Sequence, residues 1–204
     1  MAAAFTESER EQIRSALRSA AMSHARVVGM KRTSVDELCA DVGISKGAFY
    51  HFYGSKELLF LNMLEERYQE IAAKVVSLCR NQNEMTKDNQ AAEMFLEAIR
   101  LFEADGLIRF VHEDVPLLLR RIPQNVMTEH YQSMEDFILR LMKKCGFHLR
   151  VPETEAVDIL RILFMSLLFA GEIGEGYGRA LNTLVHCACA RIIKNTPSLC
   201  DSTT

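Results

Sequence analysis

The chain has 204 residues, 49% of them hydrophobic and 25% charged, with a formal net charge of −3. These proportions fit one or two packed domains and exclude extended disorder and collagen-like repeats. A chain this slightly acidic also lacks the overall basic excess common among nucleic-acid-binding proteins.

No basic region followed by an apolar stretch opens the sequence, so no secretory signal is expected. The longest uncharged run of the second half, Ile162–Gly171, has ten residues, against the ~20 that a bilayer core requires. The expected location is the cytoplasm, with no membrane partner. Six cysteines occur: Cys39, Cys79, Cys145, Cys187, Cys189 and Cys200. The closest pair, Cys187 and Cys189, would point about 200° apart on a helix and could not easily share a metal. Reduced packing cysteines are expected, with no metal and no cofactor.

Periodic apolar rows predict an all-α chain of about nine helices. Helix 1 starts at Thr6, where Thr6 and Glu9 make a capping box. It buries Ile13, Leu17, Ala20 and Ala21, and ends at Gly29, which tolerates the left-handed conformation. Helix 2 follows Ser34, again with a glutamate, Glu37, three residues on. Val42-Gly43-Ile44 breaks it. Ser45 caps a short helix 3 from Lys46 to about Tyr53, and Ser55 caps a long helix 4 to about Cys79. The polar stretch 81–90 is the expected loop before helix 5, 89–103. A short helix 6 ends before Pro116. Helix 7 runs over 123–144, helix 8 over 153–173 and helix 9 over 179–194.

The informative stretch is Thr33–Leu59, TSVDELCADVGISKGAFYHFYGSKELL. Two short helices flank a three-residue turn with glycine at its centre, the spacing of a helix-turn-helix. The second of these helices carries Lys46, Tyr50 and His51 and no acidic residue, while Gly47 and Ala48 permit close backbone approach. That is what a major-groove recognition helix requires. Lys56 adds a positive charge at the start of helix 4, where free N–H groups already favour phosphate.

This stretch resembles the TetR family of transcriptional regulators. The matching positions are Thr33, Ser34, Val35, Leu38, Val42, Gly43, Ile44, Ser45, Lys46, Gly47, Phe49, Tyr50, Ser55, Lys56, Glu57 and Leu58. The resemblance covers about residues 9–66. It implies phosphate contacts from Thr33 and Ser34, phosphate or base-edge contacts from Ser45 and Lys46, and a groove-facing Gly47 and Ala48. It further implies that Tyr50 meets phosphate or a thymine methyl, His51 a base or phosphate, and Lys56 a phosphate. Phe49 is expected in the core, and Phe52 to pack. Two departures stand out. Helix 1 is about four residues longer than is usual, which keeps the apolar phase and brings Arg26, Lys31 and Arg32 near the DNA flank. The aromatic tip reads HFY in place of H-[YF]-F.

The resemblance implies an N-terminal helix-turn-helix domain, residues 1–56, and a helical ligand-binding and dimerisation domain, residues 57–204. No catalytic spacing is present in the latter, so no enzyme activity is expected. Phe95, Phe102, Phe110, His130, Met134, Phe137, Phe164 and Met165 are the candidate walls for an apolar or amphipathic effector, since Met and Phe adapt to irregular ligands. Helices 8 and 9, with apolar stripes and small residues, are the candidate homodimer face. A two-fold dimer would bind double-stranded DNA at an approximately palindromic operator. The function expected is therefore a ligand-released repressor. Alternatives are a DNA-binding architectural protein under partner control, and a helical enzyme or lipid carrier that retains the motif. The charge is unevenly divided: residues 1–56 balance at +2 and residues 57–204 at −5. Affinity for DNA should then rest on a few placed phosphate contacts.

Overall fold

The structure is a computed structural model that describes residues 6–79 and 85–195. The side chains of Leu78 and Cys79, and Pro197 and Cys200, lie outside the described residues. The helices in chain order are α1 (Glu7–Val27), α2 (Val35–Val42), α3 (Lys46–Phe52), α4 (Lys56–Cys79), α5 (Lys87–Ala104), α6 (Ile108–Glu113), α7 (Val115–Arg121), α8 (Gln124–Lys144), α9 (Glu153–Met165), α10 (Ala170–Ile173) and α11 (Tyr177–Ile192). Nine of these have seven residues or more; α6 and α10 are shorter. Among the described residues the one non-helical pairing is an isolated antiparallel bridge between Leu149 and Ile193.

Local chemistry sets the helix ends. Thr6 and Glu9 cap α1 reciprocally, and Ser34 and Glu37 do the same for α2. Each pair satisfies N–H groups that a first helical turn leaves open. Ser45 Oγ accepts from Ala48 N–H at 3.1 Å, and Ser55 Oγ from Leu58 N–H at 3.2 Å. At the C-terminal end of α1, the N–H groups of Val28 and Gly29 both donate to His24 O. Gly29 then adopts φ +82°, open to glycine and costly for other residues.

Two expected elements differ. The segment around Pro116 forms two helices, α6 and α7, because proline is tolerated in a first turn, where its missing N–H has no partner to lose. The expected helix over 153–173 is α-helical only to Met165. It continues as a 3-10 turn, Ser166–Phe169, and the short α10. Ser166 Oγ lies 2.9 Å from Tyr177 Oη across that irregularity.

The chain divides into two compact units, Met1–Glu70 with Phe102–Met127, and Ile71–Leu101 with Thr128–Thr204. The helix-turn-helix thus shares a unit with the start of α4 and with α6 and α7, well past residue 56. In the first unit Leu17, Met30, Leu38, Phe49, Leu59, Phe60, Leu107, Phe110 and Leu118 are fully buried. Phe60 stacks on Phe110 at 5.7 Å, and Tyr68 on Phe102 at 5.6 Å. Each large ring removed from water contributes about 2–3 kcal/mol. In the second unit α9 packs on α11, burying Ala156, Val157, Leu163, Leu181, Val185 and Ile192. Arg150 N–H donates to Ile192 O, and Lys194 N–H to His148 O, at 2.8 and 2.7 Å.

Candidate nucleic-acid interface

Gly43, at φ +74°, ends α2 and turns the chain into α3. The N–H groups of Gly43 and Ile44 both return to Cys39 O. Phe49 is fully buried and anchors α3, with Tyr50 edge-on to it at 5.4 Å and Tyr53 buried behind. Tyr53 Oη donates to Asn62 Oδ1 at 3.0 Å, tying the end of α3 to α4. With that side held, α3 presents Ser45, Lys46, Gly47, Tyr50 and His51 to solvent, and Ala48 half-buried. Lys46 Nζ pairs with Asp36 Oδ2 at 3.0 Å, so the first turns of α2 and α3 are joined at the surface. This hydrogen bond holds the Lys46 ammonium more firmly protonated than usual.

Ser34 is exposed at the N-terminus of α2 but already accepts from Glu37 N–H at 3.2 Å. In return the Ser34 N–H and hydroxyl donate to Glu37 Oε2 at 2.7 and 2.8 Å, which holds the Glu37 carboxyl below its usual range. Two of the expected contact residues turn inward instead. Thr33 is 2% exposed, and its hydroxyl donates to Gly29 O at 2.8 Å. Lys56 Nζ donates to Met30 O at 2.8 Å and to Thr33 O. Both side chains are satisfied within the 29–33 turn, whose open carbonyls are stronger local partners than solvent. In the free chain the Thr33 and Lys56 side chains thus serve the turn that leads into α2.

A row of arginines on α1 was not among the expected contacts. Arg10 Nη2 lies 3.3 Å from His51 Nε2, the Arg14 guanidinium sits 5.9 Å from the centre of the Phe52 ring, and Arg18 bonds Tyr53. Arginines at i, i+4 and i+8 therefore face three consecutive aromatic positions. The helical spacing was legible; the partner 40 residues away was not. Each arginine also meets a carboxylate, Glu7, Glu11 or Glu66.

The candidate effector residues are divided between the units. Phe102 and Phe110 are core rings of the first, in the stacks with Tyr68 and Phe60. Phe95, His130, Met134, Phe137, Phe164 and Met165 belong to the second and are all half-buried. A single wall made of all eight does not form within either unit. Cys187 is exposed on α11 while Cys189 is buried, its thiol pushed up to about 12 by loss of hydration. Among the described residues no three His, Cys, Asp or Glu side chains are grouped to hold a metal, and no helix is long and apolar enough to cross a membrane.

Residues 17–63 match the family model for bacterial regulatory proteins, tetR family. Over 50 residues the chain is 40% identical to the HTH-type transcriptional regulator YuxN of Bacillus subtilis (strain 168), a match spanning 24% of this chain and 17% of that protein. A crystal structure of a TetR transcriptional regulator from Rhodococcus sp. RHA1 superposes with TM-score 0.65 at 12% identity, covering 89% of this chain and 95% of that one. A TetR-family transcriptional regulator from Pectobacterium atrosepticum gives TM-score 0.62 at 19% identity, covering 90% and 93%. Residues 17–63 thus match the TetR-family helix-turn-helix segment, and the fold over most of the chain is the one such regulators have.

Proposed function

We propose that the chain is a TetR-like homodimeric repressor that binds a palindromic operator and is released by a small molecule held in its second unit. One observation carries the reading. The α2–Gly43–α3 unit is capped at both N-termini and anchored by Phe49, yet leaves Ser45, Lys46, Gly47, Tyr50 and His51 facing outward. A rigid scaffold behind a short helix that carries no acidic residue of its own, its Lys46 held at the surface by Asp36 of α2, suits entry to a major groove.

The dimer is supported by unpartnered apolar side chains on the second unit. Ile162, Phe169 and Ile173, in the segment from α9 to α10, are 69%, 59% and 56% exposed, and Leu184 on α11 is 56% exposed. They recur at helical spacing and sit beside small residues, as a face for another copy requires. The effector is apolar or amphipathic, taken up among the half-buried Phe95, His130, Met134, Phe137, Phe164 and Met165. It acts by favouring an arrangement whose recognition helices no longer match the half-sites, and only to the extent of its differential affinity for the two states.

The test is binding of the full-length protein to duplex DNA from upstream of its own gene, read by mobility shift. Sequence-preferring, salt-sensitive binding that Tyr50→Ala weakens at least tenfold is the expected result. Binding that ignores sequence, or is indifferent to Tyr50→Ala, sinks the reading. For the dimer, Ile162→Lys should give a monomer in sedimentation; an unchanged dimer assigns the interface elsewhere.

A further inference from the structure

The turn from Gly29 to Thr33 is held with more apparatus than a surface connection requires. Asp114, at the junction of α6 and α7, is 3% exposed. Its carboxylate accepts Met30 N–H at 3.0 Å on Oδ2 and Lys31 N–H at 2.9 Å on Oδ1. On the other side, Lys56 donates to Met30 O and Thr33 O. Met30 is therefore gripped through its N–H by a buried anion and through its C=O by a cation. Gly29 admits no side chain, since a Cβ there would collide with Asp114 Oδ2. A buried carboxylate is tolerated only while its oxygens are hydrogen-bonded, and here each oxygen accepts an N–H of the turn, so the burial of Asp114 and the turn's backbone conformation require each other. Around it, Arg109 Nη2 donates to Val27 O, and Arg26 Nε to Asp105 O, at 2.6 and 2.8 Å.

The side chains displayed by this fixed turn are Lys31 and Arg32, both exposed. The first 56 residues contain eight lysines and arginines. Six are engaged: Arg10, Arg14, Arg18, Arg26 and Lys46 with carboxylates, and Lys56 with carbonyls. Among the described residues Lys31 and Arg32 alone of the eight have neither a carboxylate within ion-pair distance nor a carbonyl partner for the charged group. Arg32 stands two residues before Ser34, the N-cap of α2, whose first turn is joined to α3 through Asp36 and Lys46. The two acids on that rim are occupied, Asp36 by Lys46 and Glu37 by the Ser34 cap.

We propose that Lys31 and Arg32 form a flanking phosphate-binding site of the DNA-binding unit, and that Asp114 is the positioning residue that holds it in place. This rests on the DNA-binding reading above. The site extends the protein's footprint beyond the bases that α3 reads. It also makes full affinity depend on the segment carrying α6 and α7, which supplies Asp114.

The experiment measures binding of the full-length protein to upstream duplex DNA as salt rises from 50 to 200 mM. Each lost phosphate contact reduces the slope of log K on log salt by about 1. K31A/R32A should flatten the slope by about 2 per bound protomer while leaving sequence preference intact. D114N keeps the shape of Asp114 but points an N–H donor at a backbone N–H. It should weaken binding and flatten the slope in the wild-type background, and change neither further in K31A/R32A. A wild-type slope in K31A/R32A, or a D114N effect of equal size in both backgrounds, overturns the proposal while the recognition-helix reading stands. If the wild type binds no DNA, both fall. Should D114N fail to fold, trimming the duplex to the bases read by α3 replaces it. The wild type must then lose affinity and K31A/R32A must not; equal losses overturn the site.

Discussion

The two compact units stabilise themselves by different means. In the first, polar groups specify geometry: two capping boxes, a buried carboxylate on a turn, an ammonium on carbonyls, and arginines set against aromatic side chains. In the second, α9 has no side-chain cap, the helical run breaks into 3-10 turns, and large apolar side chains are half-buried or exposed. Satisfied polar networks define one arrangement, because any other leaves buried groups unpaired. Apolar contacts between Met and Phe tolerate several arrangements. The first means suits a surface that must keep one shape, and the second a surface that must adapt, as the proposed division of roles requires.

Core truncation should separate the units most widely. Phe110→Ala removes a fully buried ring from its stack on Phe60 and is expected to cost about 4 kcal/mol in urea unfolding. Phe137→Ala, half-buried in the second unit, should cost about half as much. Equal costs would break the contrast. A smaller effect is expected at two glycines of positive φ. Gly29→Ala combines a left-handed backbone with a collision against Asp114, about 3 kcal/mol. Gly146→Ala, at φ +69° with open space around it, meets the backbone term alone, about 1 kcal/mol. Thermal melts of both variants check the difference.

Smaller again is Ser34→Ala, which removes the N-cap of α2 and should cost about 1 kcal/mol. The smallest effect is on acid stability. Hydrogen bonds from Thr6 and Ser34 depress the carboxyls of Glu9 and Glu37 in the folded state. A depressed carboxyl stabilises the fold above its unfolded value, 4.5 here, and that contribution fades as pH falls through the folded value. Glu37→Gln should therefore lose stability near neutrality and converge on the wild type in acid, as followed by circular dichroism.

These local devices are also the ones a reader of the sequence can see. Thr6 with Glu9, Ser34 with Glu37, Ser45, Gly29 and Gly43 all bond within five residues of themselves, so their spacing announces them. The inward turn of Thr33 and Lys56 was hidden, because residue type alone equally suits a phosphate contact. Asp114 was hidden too, since its partners lie more than 80 residues away and a lone aspartate beside a proline signals only a helix boundary. The stacking of Phe110 on Phe60 and of Phe102 on Tyr68 was hidden, because such partners cannot be inferred from helical period. α7 was missed because Pro116 reads as a stop, although it also serves as a start.

The first unit is assembled from two separated stretches of chain, with residues 71–101 of the other unit between them. During synthesis the helix-turn-helix therefore emerges long before Phe110 and Asp114 exist to complete it. At 5–20 residues per second the wait is on the order of several seconds. Through that interval Phe60 has no ring to stack on, and the amides of Met30 and Lys31 have only water. A nascent chain stalled shortly after residue 70 would carry every outward side chain of α3 and still lack the ring that stacks on Phe60 and the carboxylate that holds the amides of Met30 and Lys31.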